Sequence, residues 1–147
     1  MSGGESRQFA TFYLDEFFFG IGVEKVQEVL RFQSMTRVPL APSLISGLIN
    51  LRGQIVTAID LRGRLDLPPR PAHILPMNVV IRNKEEPLSL LVDKIGGVMR
   101  VEEAVFERPP ETLVGVAREL IQGTYKLRDR LLLILDLDKA IELNSFS

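Results

Sequence analysis

Apolar and polar positions alternate in short blocks along this chain, and the blocks come in pairs. Phe9 to Leu14 and Phe17 to Gly22 are β-rich runs on either side of Asp15-Glu16, which predicts a hairpin with a tight polar turn. Asn78 to Arg82 and Leu88 to Val92 predict a second hairpin around Lys84-Glu85-Glu86-Pro87. Leu48 to Leu51 and Ile55 to Ile59 flank the glycine-containing connection Arg52-Gly53-Gln54, and Tyr125 to Arg128 and Leu131 to Leu135 flank Asp129-Arg130. These last two hairpins end in Asp60-Leu61 and Asp136-Leu137, each opening a stretch that can turn helical with the aspartate as N-cap.

One segment is ambiguous by periodicity alone. Val23, Val26, Val29 and Leu30 share a face at helical spacing, so Val23 to Phe32 fits an amphipathic helix. An internal repeat decides against it. Shifted by 69 positions (92 minus 23), Val23, Lys25, Val29 and Arg31 meet Val92, Lys94, Val98 and Arg100. Shifted by 76 (121 minus 45), Ile45, Gly47, Leu51, Arg52, Asp60 and Leu61 meet Ile121, Gly123, Leu127, Arg128, Asp136 and Leu137. Gly96-Gly97 then stands where Gln27-Glu28 stands, and two glycines inside a helix would cost about 2 kcal/mol relative to alanine. The segment therefore reads as a short turn followed by a strand over Gln27 to Phe32, with a matching strand over Gly96 to Val101. Pro39 meets Pro109, and the second copy is longer between its proline and its final hairpin.

The expected fold class is all-β, with about five strands per copy arranged as two small closed barrels. Residues 9–66 would form the first barrel, the proline-rich stretch 67–76 the linker, and residues 77–143 the second, all within one domain over 9–147. The polar residues 1–8 are expected to be unordered. Units of roughly 70 residues are marginal alone, so the two should share a core or pack tightly. Long apolar runs, Phe17 to Phe19 and Leu131 to Leu135, exceed what two small interiors hold; some of these side chains must face the other unit or a partner.

Charge and chemistry narrow the function. Net charge is −1, from 18 basic and 19 acidic residues, and aromatics are few, so a nucleic-acid groove is disfavoured. With no cysteine there is no disulfide or thiolate metal site, which suits the cytoplasm. His73, the sole histidine, lies in the linker without a carboxylate neighbour and reads as a solvated loop residue. Gly20-Ile21-Gly22 lacks the third glycine of a dinucleotide fingerprint. Asp60 and Asp136 occupy matching capping positions and read as caps, not as an acid–base pair. Neither metal nor cofactor is implied, and enzyme chemistry lacks a nucleophile–base set.

Val26-Gln27-Glu28-Val29, Thr36-Arg37-Val38-Pro39, Gly47-Leu48-Ile49-Asn50-Leu51-Arg52-Gly53 and Ile59-Asp60-Leu61-Arg62 together resemble the CheW family of bacterial chemotaxis coupling proteins. Leu91-Val92-Asp93-Lys94, Arg108-Pro109-Pro110 and Leu135-Asp136 extend the resemblance over Phe9 to Leu143. It implies two five-stranded SH3-like barrels related by a pseudo-twofold. It also implies a non-catalytic cytoplasmic adaptor, joining the cytoplasmic tips of methyl-accepting chemoreceptors to the regulatory domain of the histidine kinase CheA in membrane-associated arrays.

The same resemblance implies where each partner binds. Receptor tips would dock in the groove between barrels, at Val26, Glu28 and Leu30, at Arg52 and Gly53, and across the groove at Ile95 and Val98, with a Glu28–Arg52 ion pair beside it. Kinase contacts would fall on Met35, Thr36, Arg37 and Val38 at one end and on Arg108 and Glu111 at the other. Because Pro39 and Pro109 are repeat equivalents, those ends are one structural place used twice, and such a module can link kinases into rings. Two alternatives remain: a coupling protein of a non-flagellar chemosensory pathway serving pili, surface motility or second-messenger control, and a β-barrel ligand- or nucleic-acid-binding module.

Overall fold

A computed structural model describes residues 6–83, 86–102 and 107–142. Ten strands form in chain order: β1 (Ser6–Leu14), β2 (Phe17–Gly22), β3 (Val26–Leu30), β4 (Ile45–Leu51), β5 (Gln54–Asp60), β6 (Met77–Ile81), β7 (Leu88–Val92), β8 (Lys94–Glu102), β9 (Ile121–Lys126) and β10 (Leu131–Leu135). Three single-turn helices accompany them: α1 (Leu61–Arg64), α2 (Val116–Glu119) and α3 (Leu137–Ala140). Val23–Lys25 is a 3-10 turn running into β3, so the strand reading of this segment is correct. Lys84 and Glu85 of the second predicted turn, and Leu143, lie outside the described residues.

The strands make two five-stranded sheets, ordered β8-β1-β2-β10-β9 and β3-β6-β7-β5-β4. Mapped through the repeat, the two orders are identical. The sheets nevertheless do not follow the division expected at residues 67–76. The first hairpin, β1–β2, lies in the sheet of β8, β9 and β10, while β6–β7 lies with β3, β4 and β5. Each half of the chain thus lends its leading hairpin to the other. The cause is local: β2 and β3 are joined by one 3-10 turn, and only Asp93 separates β7 from β8. Neither connection reverses the chain into a hairpin, so each turns a corner into the other sheet. Both exchanged hairpins dock through one antiparallel and one parallel pairing, β1 on β8 and β2 beside β10, β6 on β3 and β7 beside β5.

Closure of the sheets is partial. Thr36, beyond β3, bridges Leu48 of β4 through N–H···O bonds of 2.9 and 2.8 Å. At the equivalent place Glu107 donates its N–H to the Thr124 carbonyl of β9 at 2.8 Å. Each sheet therefore curls until its edge strands nearly meet, without a continuous ladder across the gap. The extra length of the second copy houses α2. Residues 6–8, expected to be unordered on polarity, extend β1 by pairing Ser6, Arg7 and Gln8 with Glu102, Val101 and Arg100. Main-chain pairing overrides their polarity.

Packing explains the unbroken apolar runs. Every residue of β2 and β7 is buried, as expected for strands covered on both faces. One face of each sheet meets in a shared core that joins Phe12, Phe19 and Leu133 of one sheet to Ile59, Val79 and Leu90 of the other. Leu61 of α1 and Leu137 of α3, repeat equivalents, enter the same core. The opposite faces enclose smaller clusters, Phe9, Phe18, Tyr125 and Ile134 in one sheet, and Ile49, Leu51, Val56 and Val80 in the other. The excess apolar side chains therefore face the other unit.

Candidate functional site: two edge strands and two sheet ends

β3 and β8 are repeat equivalents and occupy the same edge position in their sheets. Each carries a bulge at the same point. Register shifts between Val26 and Glu28 on β3, and β8 skips Gly96 between Ile95 and Gly97. A bulge inserts one residue and so reverses which side chains share a face. Cross-strand partners share a face in an antiparallel pair, so the partners give the outcome. Val26 and Val29 pair with Ile81 and Val79 on the shared-core side, and Ile95 and Val98 pair with Phe12 and Ala10 on the same side.

Val26 and Ile95 are half-buried against the core, whereas Val29 and Val98 are 47% and 63% exposed. Glu28 and Leu30 lie on the other face of β3, where Leu30 packs against the Ile49–Val80 cluster. Leu30 is therefore a wall residue of that interior, and Val29 takes the exposed place. Alternation through residues 26, 28 and 30 misses Val29. The repeat holds the signal, because it pairs Val29 with Val98.

Glu28 and Arg52 form an ion pair. Arg52 and Gly53 sit at φ 52° and 89° between β4 and β5, the pair of left-handed residues that a tight hairpin turn requires, and the Asn50 side-chain oxygen accepts the Gly53 N–H at 2.9 Å. The turn thus fixes the backbone from which Arg52 reaches Glu28. The Arg52 hydrogen bond holds the Glu28 carboxyl below its ordinary value, so the pair is fully charged at neutral pH. The guanidinium itself remains largely in solvent, which keeps it available to a docked group.

In the second copy the ion pair is missing. Gly97 stands for Glu28, at φ 89°, and a Cβ there would meet nothing within 4 Å. Gly96 is held for space instead, since its Cβ would approach Phe18 Cε1 to 3.0 Å and crowd the Thr11 hydroxyl. The double glycine is therefore a bulge with one position closed by packing and the next by backbone conformation.

The sheet ends carry the remaining predicted residues. Thr36 makes the closing bridge, Met35 packs on the Ile49–Val80 cluster, and Arg37 and Val38 are exposed. Met35, Arg37 and Val38 line a cleft of about 910 Å³ that also takes in Phe32 and Leu40. Leu40, at φ 67°, is fully exposed. At the matching end Arg108 and Glu111 are exposed beside Val114, which is 69% exposed. Arg118 donates to the Pro110 and Leu113 carbonyls at 3.0 Å and holds that loop. Sequence reasoning passed over Leu40 and Val114. Their signal is an aliphatic residue shortly after Pro39 or Pro109, inside a loop with no strand to bury it.

The capping reading of the two aspartates holds for one of them. Asp136 accepts the Lys139 N–H at 3.3 Å. Asp60 makes no cap bond, and its Oδ1 lies 3.9 Å from Arg70 of the linker. Arg70 also joins Arg62 on Asp93. Arg62, 5% exposed, donates through Nη2 at 2.6 Å and through Nε at 3.0 Å, and Arg70 Nε donates at 2.8 Å. Burial alone would push the Asp93 carboxyl up, but Arg62, the Asp15 N–H and Arg70 outweigh it and hold it below its ordinary value. His73 is exposed in the linker, and among the described residues no group of three or more His, Cys, Asp or Glu could hold a metal ion. The candidate site thus consists of apolar edge residues, one ion pair and two sheet ends.

Known proteins resemble this chain in sequence and in fold. The family model described as CheW-like domain matches residues 8–144. The chemotaxis protein CheW of Treponema pallidum (strain Nichols) is 30% identical over 141 residues, covering 92% of this chain and 82% of its own length. That of Bacillus subtilis (strain 168) is 32% identical over 127 residues, covering 86% and 81%. The crystal structure of the scaffolding protein TtCheW from Thermoanaerobacter tengcongensis superposes with a TM-score of 0.81 at 28% identity, covering 95% of both chains. With its family model, its relatives and its fold in agreement, this chain belongs to the CheW-like domain family and is a chemotaxis scaffold.

Proposed function

We propose that this scaffold is a non-catalytic adaptor that couples the helical cytoplasmic tips of chemoreceptors to the regulatory domain of the histidine kinase CheA. The observation that carries this reading is the matched pair Val29 and Val98, apolar and exposed at equivalent places on the two edge strands. Exposed aliphatics backed by half-buried Val26 and Ile95 suit the apolar stripe of a partner helix. The Glu28–Arg52 pair beside them presents an oriented guanidinium, and arginine is often among the strongest contributors at such surfaces. The receptor-facing set is then Val26, Val29, Arg52, Ile95 and Val98, with Glu28 and Gly53 positioning the arginine.

The kinase-facing sets are Met35, Thr36, Arg37 and Val38 at one sheet end, and Arg108 and Glu111 at the other. Two equivalent ends on one molecule allow it to bridge two kinase domains and so to build rings in a receptor array. Among the described residues no helix is long and apolar enough to cross a membrane, so recruitment to the array would come through the receptors. Binding measurements with a receptor cytoplasmic fragment and with a CheA regulatory domain test the reading. Binding to both is expected; binding to neither overturns it.

A further inference from the structure

The two walls of the edge-strand surface differ in one charge. Arg52 and Arg128 are repeat equivalents, as are Glu28 and Gly97. Arg52 has its carboxylate within the molecule. Arg128 is exposed and makes no hydrogen bond or ion pair with another described residue. The side chain that would answer it is absent, because its position is held by Gly97, where a Cβ would meet open space.

Local geometry places these elements side by side. Phe18 touches both: its ring edge lies against Gly96, and Arg130, two residues beyond Arg128, stacks over the same ring with Cζ 4.5 Å from its centroid. Arg130 is already engaged, through the Tyr13 hydroxyl and through Asp129 at 3.4 Å. Lys94, on the same strand as Gly97, lies over Tyr13 at 5.8 Å. Of the two arginines on this turn, Arg128 is the one left without a counter-charge. It sits on the turn that corresponds to the one carrying Arg52, and that turn lies beside β8 through the contacts of Phe18 with Gly96 and Arg130.

We infer that Arg128 recognises a carboxylate of the docked helix, which supplies from outside the charge that Glu28 supplies from inside on the other wall. The inference rests on the proposed receptor-docking surface and deepens it. The partner it specifies is an apolar helix with an acidic side chain on the flank that meets β8. The asymmetry also fixes direction: a helix carrying one such carboxylate gains the contact in one orientation across Val29 and Val98 and loses it when reversed. A surface built only of repeat-equivalent residues could not make that distinction.

The test uses the full chain, titrated with a chemoreceptor cytoplasmic hairpin fragment at low salt and at about 0.5 M salt. Arg128→Glu is expected to weaken binding roughly tenfold at low salt and about threefold or less at high salt, while Arg128→Lys stays within about threefold of the unaltered chain. Affinity for a CheA regulatory domain should not change, which certifies the fold. Replacing the hairpin's tip carboxylates by lysine one at a time should identify one that restores binding to the Arg128→Glu chain. An Arg128→Glu chain that binds the hairpin within twofold of the unaltered chain overturns the inference and leaves the adaptor reading standing. Loss of binding that no carboxylate exchange restores overturns it as well. If the unaltered chain binds no hairpin, the adaptor reading fails and this one with it.

Discussion

Arg64 donates its Nε–H to the main-chain carbonyl of Ala140 at 2.9 Å, and Ala140 is the residue that occupies Arg64's own place in the other copy (64 plus 76). Its Nη2 reaches the Lys139 carbonyl at 2.9 Å. The two helical turns α1 and α3 therefore meet at the pseudo-twofold, joined by an interaction that only one of them can make. The guanidinium satisfies carbonyls that the end of α3 would otherwise leave open.

Arg64→Ala should accordingly loosen the junction between the sheets. Hydrogen bonds from charged donors contribute about 1.5–3 kcal/mol each, and water can replace part of that here, so a loss of about 1.5–3 kcal/mol in total is expected. Urea unfolding checks it, with a lowered midpoint and an unchanged slope.

Asp93 holds the linker. Its carboxylate gathers Arg62, Arg70 and the Asp15 N–H, at 2.6, 2.8 and 2.8 Å. Asp93→Ala leaves Arg62 buried without its partner and should cost about 3–5 kcal/mol. The pH dependence follows from the lowered Asp93 carboxyl. A group with a depressed native value contributes its stability above its unfolded value and loses it as pH falls through the native one. Stability should hold from neutral pH down to the ordinary carboxylate range and then decline on further acidification. In Asp93→Asn that decline should be shallower, as read by unfolding midpoints across pH.

Substitutions on the edge strands should separate binding from folding. Val29→Asp and Val98→Asp change exposed side chains and are expected to shift stability by no more than about 0.5 kcal/mol. Each should weaken receptor-tip binding about tenfold or more while CheA regulatory-domain binding stays largely intact. Glu28→Lys should behave similarly, by repelling Arg52. Equal loss of both partners in paired titrations would instead indicate a disturbed fold.

The second sheet end bears on assembly. Arg108→Asp should disturb clustering of receptor arrays in cells more than it weakens one-to-one kinase binding, because each kinase can still be held at the other end. Fluorescent foci counted beside a pairwise affinity decide this; unchanged foci would remove Arg108 from the assembly contact.

Much of this fold is written locally. Asp15-Glu16 between two β-rich runs places the first hairpin, and Gly96-Gly97 settles a strand against a helix. What the sequence does not display is partner choice. β1–β2 presents the same buried pattern whether it packs with β3 to β5 or with β8 to β10, so the exchange is fixed by the short corners at Val23–Lys25 and Asp93. Val29 was hidden for a related reason: alternation assumes an unbroken pleat, and the bulge after Val26 reverses it. Asp60 reads as a cap from its place before α1, yet it makes no cap bond, and its ion pair with Arg70 joins residues too far apart in the chain for a local rule to show.

The exchange of hairpins also sets an order of events during synthesis. The sheet β3-β6-β7-β5-β4 has all its strands once residue 92 has left the ribosome, whereas β1–β2, made first, needs β8, β9 and β10, the last of which ends at Leu135. The first of the described hairpins to emerge is therefore the last to find all its neighbours. Until then Phe18, which packs with Tyr125, Leu132 and Ile134, stays uncovered, and the nascent chain is open to aggregation until β10 has emerged.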